Sequence, residues 1–167
     1  MLALKVAADV FVAVAMALAL AHALEYPGKM RLDRSTYVAM QPIYYPAFMI
    51  GGGIGEGLGV VLTFVLLLLT PNDSDQFNWI AAAFASLLAM QAVYWMITYP
   101  ARNFWAERHT MARTRRFFGL SPAVQSASLK ELESLWNGLQ QRWEISHMAR
   151  AFFGFVGVVT ISVAVAM

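Results

Sequence analysis

Long apolar runs, separated by short segments rich in charged and turn-forming residues, dominate the pattern of the chain. Four of these runs are long enough to cross a bilayer, which takes about 20 helical residues. They cover residues 2–24, 45–70, 79–99 and 149–167. Polar residues inside them recur at helical spacing. The pattern therefore predicts an all-α fold, an integral-membrane four-helix bundle that forms a single transmembrane domain over residues 1–167.

The connection between the first two runs contains several prolines. Pro27 and Gly28 are expected to end the first helix. Pro42 and Pro46 indicate a separate short interfacial helix before the second span, with Tyr37 at the level of the lipid headgroups. The expected order here is thus a helix end, a short surface helix, and then a new span.

The longest polar segment, residues 100–148, lies between the third and fourth runs. Its first part mixes aromatic and basic residues, as expected near anionic lipid. Its second part opens with a capping box, Ser128 followed by Glu131, and then places leucine and tryptophan on one helical face. We therefore predict an amphipathic interfacial helical segment that runs on into the fourth helix, with Gly138 as a kink point.

A glycine-rich stretch, GGGIGEGLG, occupies the second run and invites comparison with a phosphate-binding loop. The spacing does not fit, because Glu56 stands where the third glycine of that motif would fall and no strand precedes it. Gly51, Gly55 and Gly59 instead recur every four residues. This spacing predicts a face on which another helix approaches closely.

Composition and charge agree with a membrane location. Hydrophobic residues make up 59% of the chain and charged residues 13%, more apolar than a soluble domain of this size. Basic residues concentrate after the first and third runs, which predicts a multi-pass protein of the cell membrane with those segments cytoplasmic and both termini outside. A cleaved signal at Ala21–Ala23 is the alternative for the first run, but this run exceeds the usual ~7–15 residues of a signal core.

The absence of cysteine excludes disulfides and thiolate metal sites. No nucleic-acid motif is present. The expected partners are membrane lipid and a small lipophilic substrate, not nucleic acid, and the chain can also form a homo-oligomer or join a partner membrane subunit.

Each predicted helix carries a polar stripe at helical spacing. Ionisable groups inside a span are costly and usually face a bundle interior or a cavity. Four facing stripes would form an internal polar pocket open toward the cytoplasmic side, whereas Asp9 points about 140° away from His22 and is expected to contact another helix or headgroups. The stripes contain His22 and Glu25; Tyr45, Met49, Gly52, Glu56 and Thr63; Gln91, Tyr94, Trp95, Thr98 and Arg102; and Gln140, Trp143, Glu144, His147 and Arg150.

Two cofactors are compatible with the stripes, although no cofactor is the favoured expectation. Di-metal carboxylate bundles use Glu-x-x-His pairs; Glu144 and His147 match this order, but His22 and Glu25 reverse it. Glu56 lies some 15 Å into the second helix at ~1.5 Å per residue, which is too deep for the same site. Haem with His22 and His147 as axial ligands is the second option.

A purely structural interpretation is also open. In it, the charged residues before the fourth span pair with Glu25 and Lys29 and fix the first helix against the fourth, because buried charge networks can specify packing without chemistry. The pairing residues would be Arg142, Glu144, His147 and Arg150.

Several of these residues also carry a family resemblance. The segments AHALEYPGKMRLD, QPIYYP and LQQRWEISHMAR resemble small four-helix membrane proteins of a family that includes the anthrone oxygenases. The likeness covers most of the chain. It is carried by His22, Glu25, Pro27, Lys29, Gln41, Tyr45, Trp136, Arg142, Trp143, Glu144, His147 and Arg150.

The resemblance implies an oxidoreductase, an oxygenase that adds dioxygen to a lipophilic aromatic or quinone-like molecule without a metal. Such chemistry needs a base and a group that holds the resulting oxyanion. The alternative is a non-catalytic membrane accessory subunit or lipid-binding scaffold. The expected catalytic residues are His22, Glu25, Glu144 and His147, and the expected substrate-binding residues are Tyr45, Trp95, Arg142, Trp143 and Arg150.

Overall fold

The computed structural model describes residues 1–101 and 129–167, except for the side chains of Tyr45 and of residues 129–135. In this part of the chain four long helices pack into a bundle and no strand occurs. The all-α four-helix bundle expected from the sequence is confirmed. The helices are α1 (Leu2–Lys29), α2 (Arg34–Leu69), α3 (Asp75–Val93), which continues through a π-helical turn at Tyr94–Thr98, and α4 (Leu129–Ala166).

All four helices contain a segment long and apolar enough to cross a membrane. These segments agree with the four predicted runs but extend further at the end of α1 and at the start of α4. They are Leu2–Lys29, Pro46–Leu69, Asp75–Ala101 and Trp136–Ala166. The chain is thus compatible with a multi-pass membrane protein whose termini lie at the same end of the bundle.

Helix α2 differs from the expectation, because it is a single helix that contains both Pro42 and Pro46. It begins at Asp33, whose carboxylate accepts hydrogen bonds from the backbone N–H groups of Ser35 and Thr36 at 2.9 and 3.0 Å. The hydroxyl of Ser35, which also donates to this carboxylate, and then the N–H of Thr36 hold the pKa of Asp33 below its usual value. The predicted separate interfacial helix was wrong: proline weakens a helix locally, but a capped N-terminus and later packing keep this one continuous.

The predicted end of α1 was also too early. The helix passes through Pro27 and ends at Lys29, since a proline removes only its own N–H and the following turn can still form. Helix α4 runs without interruption from residue 129 through Gly138 into the last span, as expected. The capping box, Arg102 and the aromatic and basic segment before residue 129 lie outside the described residues or side chains.

One face of α1 packs against the other helices and holds the bundle together. The buried residues on this face recur at alternating spacings of three and four residues. Its interior positions are mainly alanine and valine, which let neighbouring helices approach closely. The three glycines of α2 confirm the predicted packing face: a Cβ on Gly55 would lie 3.0 Å from the backbone nitrogen of Ala15, and Gly51 and Gly59 meet Leu18 and Val12. The buried face of α1 consists of Lys5, Ala8, Val12, Ala15, Ala19, His22 and Lys29.

Two polar contacts tie the helices at the end of the bundle that carries the chain termini. Ser162 donates to Asp9 across the α1–α4 contact at 3.0 Å, so the expected contact of Asp9 with another helix is confirmed. The Lys5 ammonium donates to Gln76 at 2.6 Å and to the carbonyl of Ala164 at 3.2 Å. These contacts give Lys5 and Asp9, two polar side chains of α1, partners within the protein.

Candidate functional site

A cavity of about 290 Å³ lies between the four helices, away from the chain termini. Its volume is close to the ~300 Å³ at which ligand pockets begin. Most of the lining is apolar or aromatic, with a few polar groups converging on it. The lining residues are Ala15, Leu18, Ala19 and His22 of α1; Phe48, Met49, Gly52, Gly53 and Glu56 of α2; Gln91, Tyr94, Trp95 and Thr98; and Trp143, His147 and Arg150 of α4.

Two histidine rings meet across the bundle in the cavity wall. The imidazoles of His22 and His147 stack with centroids 4.3 Å apart and an interplanar angle of 25°. Phe48 packs against His22 at 4.4 Å, and Trp143 meets His147 edge to face at 4.8 Å. Both histidines are buried. The expectation that the first and last helices bring their imidazoles together is thus fulfilled.

Each histidine receives a hydrogen bond from a cation at its Nδ1 atom. Lys29 Nζ lies 3.1 Å from Nδ1 of His22, and Arg150 Nη1 lies 3.3 Å from Nδ1 of His147. Glu25 contacts the Lys29 ammonium at 2.6 Å. Ammonium and guanidinium groups only donate, so each Nδ1 must accept. Both rings are therefore neutral and carry their proton on Nε2.

This tautomer determines what the pair can do. A neutral imidazole protonated at Nε2 offers an N–H donor there rather than a base. Among the described residues, Nε2 of the buried His147 has no hydrogen-bond partner. Of the expected catalytic carboxylates, Glu25 pairs with Lys29 and Glu144 accepts a hydrogen bond from Tyr37. The geometry instead suits binding of a carbonyl or an oxyanion.

A buried ion pair connects α2 with α4 beside the histidines. Arg150 Nη2 bonds to Oε1 of Glu56, and Gln91 Nε2 donates to the other carboxylate oxygen at 3.1 Å. The guanidinium also lies over the ring of Tyr94, 5.2 Å from its centroid. The expectation that Glu56 lies too deep to meet the histidines was wrong. The span of α1 ends further out than predicted and that of α4 begins further out, so the histidines lie deeper in their spans as well.

A second buried contact lies behind the histidines. The phenol of Tyr37 donates to Oε1 of Glu144, and the two side chains are 1% and 0% exposed. Burial, and then the adjacent carboxylate charge, raise the pKa of Tyr37, so the phenol stays protonated as the donor. The sequence predicted a place for Tyr37 at the headgroups and did not predict its contact with Glu144. Only tertiary structure could reveal this, because Glu144 is distant in sequence.

The structure separates the predicted site residues into two groups. Glu25, Glu144 and Arg142 do not line the cavity; Arg142 is exposed. The side chain of Tyr45 lies outside the described atoms. The lining also contains Phe48 and Gly53, which the polar stripes did not include, because apolar residues beside a cavity carry no polar signal. The predicted residues that line the cavity are His22, Trp95, Trp143, His147 and Arg150.

The donor set does not fit either cofactor considered from the sequence. The described residues contain no group of three or more histidines and carboxylates arranged to hold a metal ion. The two imidazoles are stacked face to face at 4.3 Å, so no haem plane fits between them. Glu25 and Glu144, the carboxylates of the predicted di-metal pairs, are each turned to a different partner.

Comparison of the chain with protein-family models, with curated proteins and with solved structures finds no match.

Proposed function

We propose that this chain is an integral-membrane oxidoreductase, an oxygenase that acts on a lipophilic aromatic or quinone-like molecule held in the cavity beside His22 and His147. One observation carries the proposal: two neutral imidazoles, each fixed as an Nε2–H donor by a cation, stand in the wall of a mostly apolar cavity of about 290 Å³. Apolar walls with a few convergent polar groups are typical of small-molecule sites.

The polar groups of the cavity favour a ligand that carries an oxygen. The Nε2–H groups donate to a carbonyl or phenolate oxygen, and the nearby charge of Arg150 stabilises negative charge on that oxygen. Tyr94 and Trp143 offer aromatic surfaces on which a planar ring packs. A hydroxylated anthrone, a three-ring phenol with one methylene carbon between aromatic rings, has the required shape and chemistry.

The proposed reaction uses dioxygen as the oxidant. Glu56, which lines the cavity, takes a proton from the enol form of the substrate, and the histidines hold the resulting oxyanion. The anion transfers one electron to dioxygen, and the two radicals combine to form a carbon–oxygen bond. The peroxide takes up a proton and loses water, so that a methylene group and O₂ become a carbonyl group and H₂O. The electron-rich substrate is oxidised and dioxygen is reduced.

We further propose a location in the cell membrane with both termini outside. The excess of basic residues after the first and third helices supports this orientation. The histidine pair then lies in the half of the bundle nearer the cytoplasm.

Oxygen uptake tests the proposal. Wild-type protein in phospholipid vesicles is expected to consume O₂ with a hydroxylated anthrone faster than empty vesicles, with one carbonyl product formed per O₂. His147→Ala should lower kcat by about 10²–10³, the loss seen when one oxyanion donor is removed. His147→Gln should recover part of the rate, because its amide donates but is not a base. Ser162→Ala, on the same helix outside the cavity, should leave the rate unchanged.

The second candidate is a non-catalytic accessory subunit or lipid-binding scaffold. The ion pairs of Glu56 with Arg150 and of Glu25 with Lys29 favour this second candidate, because buried ion pairs can serve packing alone. In that case the wild-type chain would give no O₂ uptake above empty vesicles, and His147→Ala would lower the free energy of unfolding without any kinetic effect.

A further inference from the structure

We propose that the cavity receives its ligand sideways from the bilayer, through an opening between α2 and α3 bordered by Met49, Gly53 and Trp95. We call this opening the lateral mouth. The inference rests on the proposed function, because it assumes that the cavity holds a lipophilic molecule. It adds the route by which that molecule arrives and the residues that control it.

The walls of the cavity differ in their exposure. On the α1 and α4 sides none of the lining residues is exposed: Ala15 is 1% exposed and His147 is 4% exposed. On the α2 and α3 sides, Met49 is 47% exposed and Trp95 is 59% exposed, and Gly53 is also classed as exposed. The cavity is therefore closed toward α1 and α4 and open between α2 and α3.

The contact between α2 and α3 shows where the opening begins. Toward the chain termini the two helices touch, with the rings of Phe64 and Phe84 5.5 Å apart. The hydrogen bond from Gln91 to Glu56 then bridges them. One helical turn further, a Cβ on Gly53 would meet no heavy atom within 4 Å. No side chain of α3 covers α2 at that point, so the lateral mouth lies directly beyond the Gln91–Glu56 bridge.

The lateral mouth lies at a depth where its surroundings are hydrocarbon. Gly53 follows the start of its span at Pro46 by ~10 Å, and Trp95 precedes the end of its span at Ala101 by ~9 Å, at 1.5 Å per residue. Both therefore lie below the headgroups of a bilayer with a hydrocarbon core about 30 Å thick. Their exposed neighbours are all apolar: Ile50, Ile54 and Met96.

The route and the interior together define the ligand. A molecule that crosses apolar surroundings must dissolve in the acyl region, and one that stays must satisfy the donors at the histidines. A planar aromatic ketone or quinone meets both conditions. Glycine on one side of the lateral mouth and the flat ring of Trp95 on the other leave a passage suited to a flat molecule.

A thiol introduced into the cavity tests this route without any knowledge of the natural substrate. The chain has no cysteine, so Ala19→Cys places a single thiol on the buried α1 wall. The full chain in phosphatidylcholine vesicles is treated with methyl methanethiosulfonate, which partitions into lipid, or with its charged sulfonatoethyl analogue. The apolar reagent is expected to react faster than the charged one.

The two matched variants carry their substitutions one helical turn apart on the exposed face of α2. Gly53→Leu in the Ala19→Cys background should slow the apolar reagent about tenfold, equivalent to roughly 1.4 kcal/mol on the barrier. Gly57→Leu is the control, since a Cβ there also meets nothing within 4 Å and Gly57 does not line the cavity. It should leave the rate unchanged. Unfolding in sodium dodecyl sulfate verifies that both variants fold.

Three results would overturn the lateral mouth: equal rates for the Gly53→Leu and Gly57→Leu proteins, faster reaction with the charged reagent, or a thiol that reacts only after unfolding. A different observation would overturn the oxygenase proposal. The wild-type chain would show no turnover, although the Ala19→Cys protein still reacts with the apolar reagent through the lateral mouth. The two failures are therefore distinguishable.

Discussion

The two halves of the bundle are built from different residues. In the half nearer the chain termini, which we call the closed half, small and aliphatic side chains fill the interior, and Ala8, Val12, Leu66 and Ile80 are each 0% exposed. In the other half, which we call the histidine half, stacked rings and charged groups surround about 290 Å³ of space. Both halves use the same four helices; they differ in their side chains, and α3 has its π-helical turn in the histidine half.

The comparison shows how one bundle combines stability with a site. In the closed half, alanine and glycine let the helices approach closely and pack densely. In the histidine half, the rings of His22, His147 and Trp143 and the ion pair of Arg150 fill the interior less completely. There the buried atoms His147 Nε2, Arg150 Nε and Glu144 Oε2 lack a hydrogen-bond partner among the described residues. Unsatisfied buried polar atoms are costly.

The largest loss of stability is expected when Arg150 loses its counter-ion in the histidine half. Glu56→Ala should lower the free energy of unfolding by about 3–5 kcal/mol, because it leaves a buried guanidinium without its carboxylate. Unfolding by sodium dodecyl sulfate in mixed micelles measures this change. Glu25→Ala is the control, since its side chain is one-third exposed and should give a much smaller loss. Equal losses would show that burial does not distinguish the two ion pairs.

The second test disturbs the close approach of α1 and α2. Gly55→Leu should destabilise the bundle by about 1–3 kcal/mol, the usual penalty of overpacking, because a Cβ there would lie 3.0 Å from the backbone of Ala15. Gly57→Leu, where a Cβ meets nothing within 4 Å, should have little effect in the same unfolding assay. A stable Gly55→Leu protein would contradict the glycine face.

The predictability of the fold and the site differs for a physical reason. Long apolar runs and helical spacing depend on local sequence, so they predicted four helices, the glycine face and the inward placement of His22 and His147. Which residues meet across the bundle depends on the relative depth of the helices. The sequence does not contain that depth, and this is why Glu56 was placed too deep for the histidine site and the contact of Tyr37 with Glu144 was not predicted.

The proline residues illustrate the same limit of local rules. Proline predicts a helix end, yet α2 continues through Pro42 and Pro46. The hydrogen bond from Tyr37 to Glu144 fixes the segment before the prolines against α4. A long-range contact of this kind outweighs a local preference and leaves no pattern in the sequence.

The third test concerns that contact. Tyr37→Phe should lower the free energy of unfolding by about 1–3 kcal/mol, because it leaves the buried carboxyl of Glu144 without its donor. The wild-type protein should also lose stability as the pH rises above about 10, where the phenol ionises in the unfolded chain while its raised pKa keeps it protonated in the folded one. The Tyr37→Phe protein should lack this alkaline loss, which unfolding curves from pH 8 to 11 will reveal. An unchanged alkaline loss in the variant would assign it to other groups.

The smallest effect is expected in the closed half. Ser162→Ala removes one hydrogen bond to Asp9 and should lower the free energy of unfolding by about 0.5–1.5 kcal/mol. The same protein should keep its rate of O₂ uptake. A loss of turnover in the Ser162→Ala protein would mean that the two halves are functionally coupled. That result would contradict the assignment of activity to the histidine half.

Saturable binding of a dihydroxyanthraquinone, the type of product expected, would show that the cavity holds a lipophilic aromatic molecule. Equilibrium dialysis of vesicles that contain the wild-type chain should show one molecule bound per chain above the amount that partitions into protein-free vesicles. Ala19→Phe, which fills the cavity wall beside His22, should abolish that saturable component while the bundle stays folded. Uptake that is linear in concentration and equal for the wild type, the variant and protein-free vesicles would contradict the account.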